Sequence, residues 1–267
     1  MATFERDGHL IHWEESGPRD APPLLLIMGL GLSSRSWDQL PGRLSNRFRV
    51  IIFDNRGTGR SGRRARSWSM ATLADDSAAV LREAGVTEER PAFVFGISLG
   101  GMIAQELALR HPRLLKSLAL GATNLGPWRS RWGSLRSRLK FLSLITLGPG
   151  RDARRLARLC VSAGFADRAN ADWLRWARGL EHTDPLSSLR QMRAVMSHST
   201  HARLPTVRLP VLVLTGDQDQ IIPFDNSRLI HARIPNAKLV VIEGAGHVFP
   251  LEQPQRTVNE LVAHFLS

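Results

Sequence analysis

Six short apolar runs with helical patterns between them constrain the fold of this chain more than any other feature. They are Pro23 to Met28, Arg49 to Asp54, Ala92 to Gly96, Leu114 to Leu120, Val211 to Thr215 and Leu239 to Ile242. Each is short for a helix and apolar along most of its length, as expected of strands covered on both faces. The segments Leu73 to Ala84, Leu99 to His111, Asn226 to Ile234 and Gln253 to Leu266 carry core-facing residues at helical spacing. They are long enough to recross a sheet, so the alternation predicts an α/β fold with mostly parallel strands flanked by helices. Phe4 to Ser16 adds two extended runs around Asp7-Gly8, a dipeptide suited to a tight hairpin turn. The expected central sheet is therefore eight-stranded.

The alternation breaks between about Thr123 and Thr206, where Arg- and Trp-rich helical segments replace strand runs. The predicted division is a core domain over 1–122 and 207–267 with an inserted helical lid over 123–206. Gly148-Pro149-Gly150 and Asp184-Pro185 are expected to split the lid into three or four helices. Trp128, Trp132, Trp173 and Trp176 are read as the lid's own core rather than as a substrate pocket. A chain of 267 residues, 43% hydrophobic, suits one main core.

The formal charge of +12 raises the question of anionic partners. Only three of the 36 basic residues are lysine (Lys116, Lys140, Lys238) and tyrosine is absent, a bias that reads as coding composition. From Pro127 to Leu180, twelve basic residues face Asp152, Asp167 and Asp172, and a solvated helical face is the reading favoured for them. No nucleic-acid partner is expected. The opening MATFERDGHLIHW lacks the pattern of a signal peptide, and the longest apolar run, Leu24 to Leu32, is far short of a membrane span, so no membrane insertion is expected. Cys160 is the single cysteine and is read as a buried apolar residue. No disulfide or metal site is expected, and a reducing cytoplasm is the expected setting.

Candidate chemistry begins at Ala92 to Gly101, AFVFGISLGG, where a strand run enters Gly96-Ile97-Ser98-Leu99-Gly100 and a helical pattern follows at once. A serine on such a sharp turn needs neighbours without Cβ atoms, and glycines stand two residues to either side. A hydroxyl is a poor nucleophile without a base. His247, in the loop Glu243-Gly244-Ala245-Gly246-His247 after the last strand run, is the candidate base. Among the other eight histidines, most are read as solvated or capping residues. The orienting carboxylate should follow the strand Val211 to Thr215, where Asp217 and Asp219 compete. Asp219 is preferred because it lies further past the strand end, and Asp217 is read as a turn residue bonding nearby amides.

In combination, these motifs resemble those of the α/β-hydrolase fold superfamily along nearly the whole chain outside the lid, and MGLG and DNRGTGRS are similar to those of its enol-lactonases and methyl esterases. Met28 to Gly31 (MGLG) is similar to the family's HGxG loop, Asp54 to Ser61 (DNRGTGRS) to its turn, and GISLGG, GDQDQIIP and GAGH to its elbow, acid and base loops. The resemblance implies oxyanion donation by the backbone amides of Leu30 and Leu99. Met28 stands where the family usually has histidine, which leaves open what braces that loop, and Asp54 and Arg56 are read as structural. No dinucleotide fingerprint follows a strand, and no cofactor is expected. The expected partner is a small-molecule acyl substrate: an ester, thioester or lactone. Carbon–carbon bond hydrolysis, perhydrolysis or cyclisation by the same triad is a rival reading, and a binding protein on a hydrolase scaffold is another.

Overall fold

The apolar runs form strands β3 (Pro23–Ile27), β4 (Arg49–Phe53), β5 (Ala92–Ile97), β6 (Leu115–Gly121), β7 (Val211–Gly216) and β8 (Lys238–Ile242). With the opening hairpin, β1 (Ala2–Arg6) and β2 (His9–Ser16), they make one eight-stranded sheet in the order β1-β2-β4-β3-β5-β6-β7-β8. The pairs involving β2 are antiparallel and those from β4 to β8 are parallel. This is a computed structural model that describes residues 2–62, 68–135, 137, 139, 158–168, 176 and 184–267. At the hairpin, Asp7 (φ 52°) and Gly8 (φ 76°) both take the left-handed conformation that a tight turn requires.

Alternate side chains of each strand feed opposite cores, because the strand period is two. Leu25, Ile27, Ile51, Phe53 and Val94 face one layer, where helices α2 (Met70–Glu83) and α3 (Leu99–Arg110) cover the sheet. Leu24, Leu26, Val50, Phe93 and Phe95 face the other, covered by α1 (Leu40–Leu44) and the C-terminal helix (Pro254–Phe265). Helix α2 starts earlier than its apolar spacing predicts, because the Ser69 hydroxyl accepts the Thr72 amide (3.1 Å) and caps the first turn.

Between β6 and β7 no described residue is in a strand. The described part includes α4 (Ala163–Asp167) and α5 (Pro185–Ser197), the latter capped by Asp184, whose carboxylate accepts the Ser187 amide (3.0 Å). After β7 come α6 (Asp225–His231), α7 (Phe249–Glu252) and α8, the C-terminal helix named above. Gly148-Pro149-Gly150 and Trp173 lie outside the described residues. Among the described residues, no helix is long and apolar enough to cross a membrane.

Two sequence readings need correction. Trp176 is buried against Val161, Phe165 and Val248 and donates its indole N–H to the Ser36 carbonyl (3.1 Å). Trp128 and Trp132, however, are 86% and 46% exposed and form no core. Trp132 instead donates its indole N–H to the Pro127 carbonyl (3.0 Å) and lines a cavity beside Leu135 and Leu139. The histidines also differ, since His9, His12, His198 and His264 are buried. His264 lies on the inner face of α8 with its Nε2 against the Ser117 hydroxyl (2.7 Å) and the Leu118 carbonyl (3.2 Å), a satisfied core position.

Candidate active site

Ser98 follows the last residue of β5 and precedes the first of α3, with φ 58° and ψ −121°. Few non-glycine residues hold such a conformation, and here close packing imposes it. A Cβ on Gly96 would lie 2.2 Å from the Gly100 carbonyl oxygen, and one on Gly100 would lie 1.9 Å from that of Ile27. Both glycines are thus required for helix α3 to start against β3 and β5. The Ser98 amide donates to the Gly121 carbonyl (2.9 Å), and the Thr123 hydroxyl donates to the Ser98 carbonyl (2.8 Å), so the turn is tied to the end of β6.

The loops after β7 and β8 are pressed together. A Cβ on Gly216 would meet the carbonyl oxygens of Ala245 and Gly246 at 2.2 and 2.4 Å. Across this contact the Asp219 carboxylate meets His247, Oδ2 to Nδ1, at 2.7 Å. Its Oδ1 accepts the amides of Ile221 (2.8 Å) and Ile222 (2.9 Å). With a carboxylate as acceptor, Nδ1 carries the proton and Nε2 is left as the basic nitrogen. Both residues are buried, which strengthens the pair. Asp217 does bond an amide, but that of Gly244 in the opposite loop (2.7 Å), not one in its own turn. It buttresses the base loop from outside.

Two residues past His247, Phe249 packs against Phe95 of β5 (ring centroids 6.5 Å apart), so the base loop reaches back toward the strand that carries Ser98. Among the described residues no hydrogen bond joins Ser98 Oγ to His247. The serine instead lines a cavity of about 310 Å³ together with Leu30 and Leu99. Much of the remaining wall is Met102, Met192, Val195 and Ile222, and Trp132 lies at its exposed side.

The loop Met28 to Gly31 lies directly over the elbow: a Cβ on Gly29 would come within 3.3 Å of Ser98 Cβ and 3.8 Å of its Oγ. With methionine in place of the family's histidine, three consecutive residues of the neighbouring turn brace this loop. The buried Asp54 carboxylate accepts both the amide and the hydroxyl of Ser34 (2.7 Å each). Asn55 donates to the Met28 carbonyl (3.0 Å). The Arg56 carbonyl accepts from Gln191 (3.1 Å), whose other amide atom accepts the Gly31 amide (2.9 Å). The Arg56 side chain is buried in a two-point pair with Asp76 (2.6 Å each). Burial works against the Asp54 charge, but hydrogen bonds from Arg60 and Ser34 hold its carboxyl below the usual range.

Sequence reasoning missed Gln191 and Glu252, which sit in no motif. Glu252 of α7 accepts the amides of Gly246 (2.7 Å) and Ser162 (3.1 Å) and the Ser162 hydroxyl (2.5 Å), joining the base loop to α4. Burial pushes its carboxyl above the usual range. Cys160, whose carbonyl accepts the Val248 amide (2.8 Å), has its thiol pushed up to about 12 by burial, with Asp219 and Glu252 adding to the shift. That shift works against thiolate formation at neutral pH, although Cys160 is half-buried. Among the described residues, no group of three His, Cys, Asp or Glu could hold a metal ion.

Comparison with known proteins agrees with this architecture. A protein of Pseudomonas savastanoi carrying the name carbamate hydrolase RutD is 32% identical over 261 residues, which cover 91% of this chain and 94% of that protein. One from Mycobacterium tuberculosis named as the non-heme bromoperoxidase BpoC is 30% identical, covering 96% of this chain and 97% of its own length. A solved hydrolase from Pseudomonas aeruginosa superposes with a TM-score of 0.85 at 26% identity, over 100% of this chain and 98% of its own. The enol-lactonase of Burkholderia xenovorans shares the fold with a TM-score of 0.87 at 22% identity over the whole of both chains. The model of the alpha/beta hydrolase family matches residues 24–261, spanning the elbow, acid and base loops alike, and this chain therefore belongs to that family of hydrolases.

Proposed function

We propose that the chain is a serine hydrolase that cleaves a carboxylic ester, thioester or lactone through an acyl-enzyme. Ser98 is the nucleophile, His247 the general base and then acid, and Asp219 the group that orients the imidazole. The observation that carries this reading is the 2.7 Å contact between Asp219 and His247 Nδ1, made by loops on the same sheet edge as a serine held at φ 58°.

As Ser98 Oγ bonds to the acyl carbon, its proton passes to His247 Nε2, and the carbonyl π electrons move to oxygen. The amides of Leu30 and Leu99 stabilise that oxyanion, each supplying roughly 3 to 4 kcal/mol. The bond to the leaving oxygen or sulfur then breaks as His247 returns the proton to it. Water repeats the sequence on the acyl-enzyme and releases the acid and Ser98. The missing serine–imidazole hydrogen bond is compatible with this role, since such contacts often tighten only with substrate bound.

The mainly apolar cavity favours a substrate with an apolar acyl or alcohol group. The segment over 123–206 acts as a lid in this reading, because Trp132, Met192 and Val195 within it line the cavity.

The test is a panel of esters, thioesters and lactones of graded apolar size, with fluorophosphonate labelling and Ser98→Ala beside the wild type. The wild type should turn over the apolar esters and be labelled at Ser98. Ser98→Ala should fold, escape labelling and lose at least about a thousandfold in kcat. Near-normal turnover by Ser98→Ala would refute the mechanism.

A further inference from the structure

We infer that Gln191 is a positioning residue that sets the oxyanion loop, so that helix α5 helps decide where the Leu30 amide points. The inference rests on the serine-hydrolase reading above and goes beyond it.

Gln191 is a fully buried polar side chain on α5, and both ends of its amide are used. Its oxygen accepts the Gly31 amide at 2.9 Å, and its nitrogen donates to the Arg56 carbonyl at 3.1 Å. It thereby clips the loop over Ser98 to the turn beneath. The loop needs such a clip: Gly29-Leu30-Gly31 is two-thirds glycine, Gly31 stands at φ 72°, and the local turn closes through a long bond from the Leu32 amide to the Gly29 carbonyl (3.3 Å). Asn55 and Asp54 hold Met28 and Ser34 at the two ends of this stretch. Gln191 holds the peptide that joins Leu30 to Gly31, so the Leu30 amide, in the Gly29–Leu30 peptide, is tied to that contact through the φ and ψ of Leu30.

The dock of α5 is itself specific. A Cβ on Gly57 would meet the Ser187 hydroxyl at 2.6 Å, so the first turn of α5 sits on this turn only because residue 57 is glycine. The same helix presents Met192, Val195 and Met196 to the cavity. One helix therefore carries both part of the cavity wall and the brace of the oxyanion loop.

Gln191→Met removes both hydrogen bonds at similar length, and Gln191→Asn withdraws a polar amide by one methylene. Steady-state hydrolysis of an apolar ester should be measured with concentrations set by active-site titration, alongside binding of an alkylboronic acid that forms a tetrahedral adduct on Ser98. Gln191→Met should lower kcat about tenfold to a hundredfold, leave KM within about threefold, and weaken boronate binding by the same factor as kcat, as expected when oxyanion donors are misplaced. Should the methionine variant fail to fold, Gln191→Asn must give the same split. A purely structural role would lower the melting temperature and the active fraction while leaving kcat per titrated site and boronate affinity at wild-type values, and that outcome overturns the inference. If the wild type binds no boronate and Ser98→Ala stays active, the reading of the site has failed instead.

Discussion

Replacing Asp219 by asparagine separates the orienting role of its charge from its role in the turn. One carboxylate oxygen accepts two amides, Ile221 and Ile222, at 2.8 and 2.9 Å, and the other accepts His247 Nδ1 at 2.7 Å. An asparagine has a single acceptor oxygen, and two fixed N–H donors claim it, because the amide NH₂ cannot face them. The NH₂ then points at Nδ1 and donates to it. The imidazole must shift its proton to Nε2, the nitrogen that has to accept from Ser98. The turn survives while the base is presented in the wrong tautomer. Loss from this cause is roughly ten-thousandfold in kcat, or about 5 kcal/mol in activation free energy. Asp217→Asn is the internal control, since its partner, the Gly244 amide, sits at an exposed position and asparagine still offers an oxygen. A surface change of that kind shifts free energies by about 0.5 kcal/mol or less, roughly twofold in rate. Hydrolysis of p-nitrophenyl butyrate at neutral pH, with circular dichroism to establish folding, measures both variants. If Asp219→Asn keeps activity within tenfold of the wild type, or Asp217→Asn is equally damaging, the assignment of the acid is wrong.

Two further predictions concern stability. Ser98 holds a backbone conformation suited to glycine, so Ser98→Gly should raise stability by about 1 kcal/mol, relief of strain outweighing the chain-entropy cost, while abolishing turnover. Denaturation midpoints compared with Ser98→Ala check this, and a glycine variant less stable than the alanine one contradicts it. Burial lowers the His198 imidazole to about 4, against an ordinary value of about 6.5, with Arg203 adding to the effect and Glu106 opposing it. Below pH 6.5 the unfolded chain binds a proton that the folded chain refuses, so this group makes stability fall as pH drops from about 6.5 toward 4. Between pH 7 and 5 the wild type should lose about 2 kcal/mol more than His198→Gln; equal losses in urea titrations would mean that the histidine is not buried neutral.

Sheet composition, the hairpin turn and the residues of the elbow are legible in the sequence because each rests on local patterning. Buried parallel strands read as apolar runs, Asp7-Gly8 reads as a turn, and Gly96 is demanded by the start of the helix after Ser98, although Gly100 is demanded by the Ile27 carbonyl of the neighbouring β3. Asp219 could be preferred to Asp217 by its distance past the strand. What Asp217 bonds could not be read, because Gly244 meets it only once two loops are packed. Gln191 and Glu252 were illegible for the same reason: each is an ordinary polar residue in a helix until the fold brings the Gly31 or Gly246 amide to it. The buried His264 and exposed Trp132 fail in opposite directions, since an amphipathic pattern gives a helix but not which polar residue on it finds a partner inside.

The division of labour in this fold follows from where the tolerances lie. Ser98, Asp219 and His247 hang from strand ends where carbonyl oxygens come within 1.9 to 2.4 Å of where a Cβ would stand on Gly100, Gly96 or Gly216, so the backbone there has no room to vary. Much of the cavity wall, by contrast, comes from side chains on the segment between β6 and β7, including Trp132, Met192 and Val195. Methionine and exposed aromatic residues repack at low cost, so substrate shape can change without moving the reacting atoms. Relatives about 30% identical can then bear names as different as carbamate hydrolase and bromoperoxidase on one scaffold. Among the described residues, the bonds that couple the two regions near the site include Gln191 to Gly31 and Arg56, Glu252 to Ser162, and the Val248 amide to the Cys160 carbonyl. Substitutions at those crossings should therefore alter rate, whereas substitutions in the cavity wall should alter which substrate is accepted.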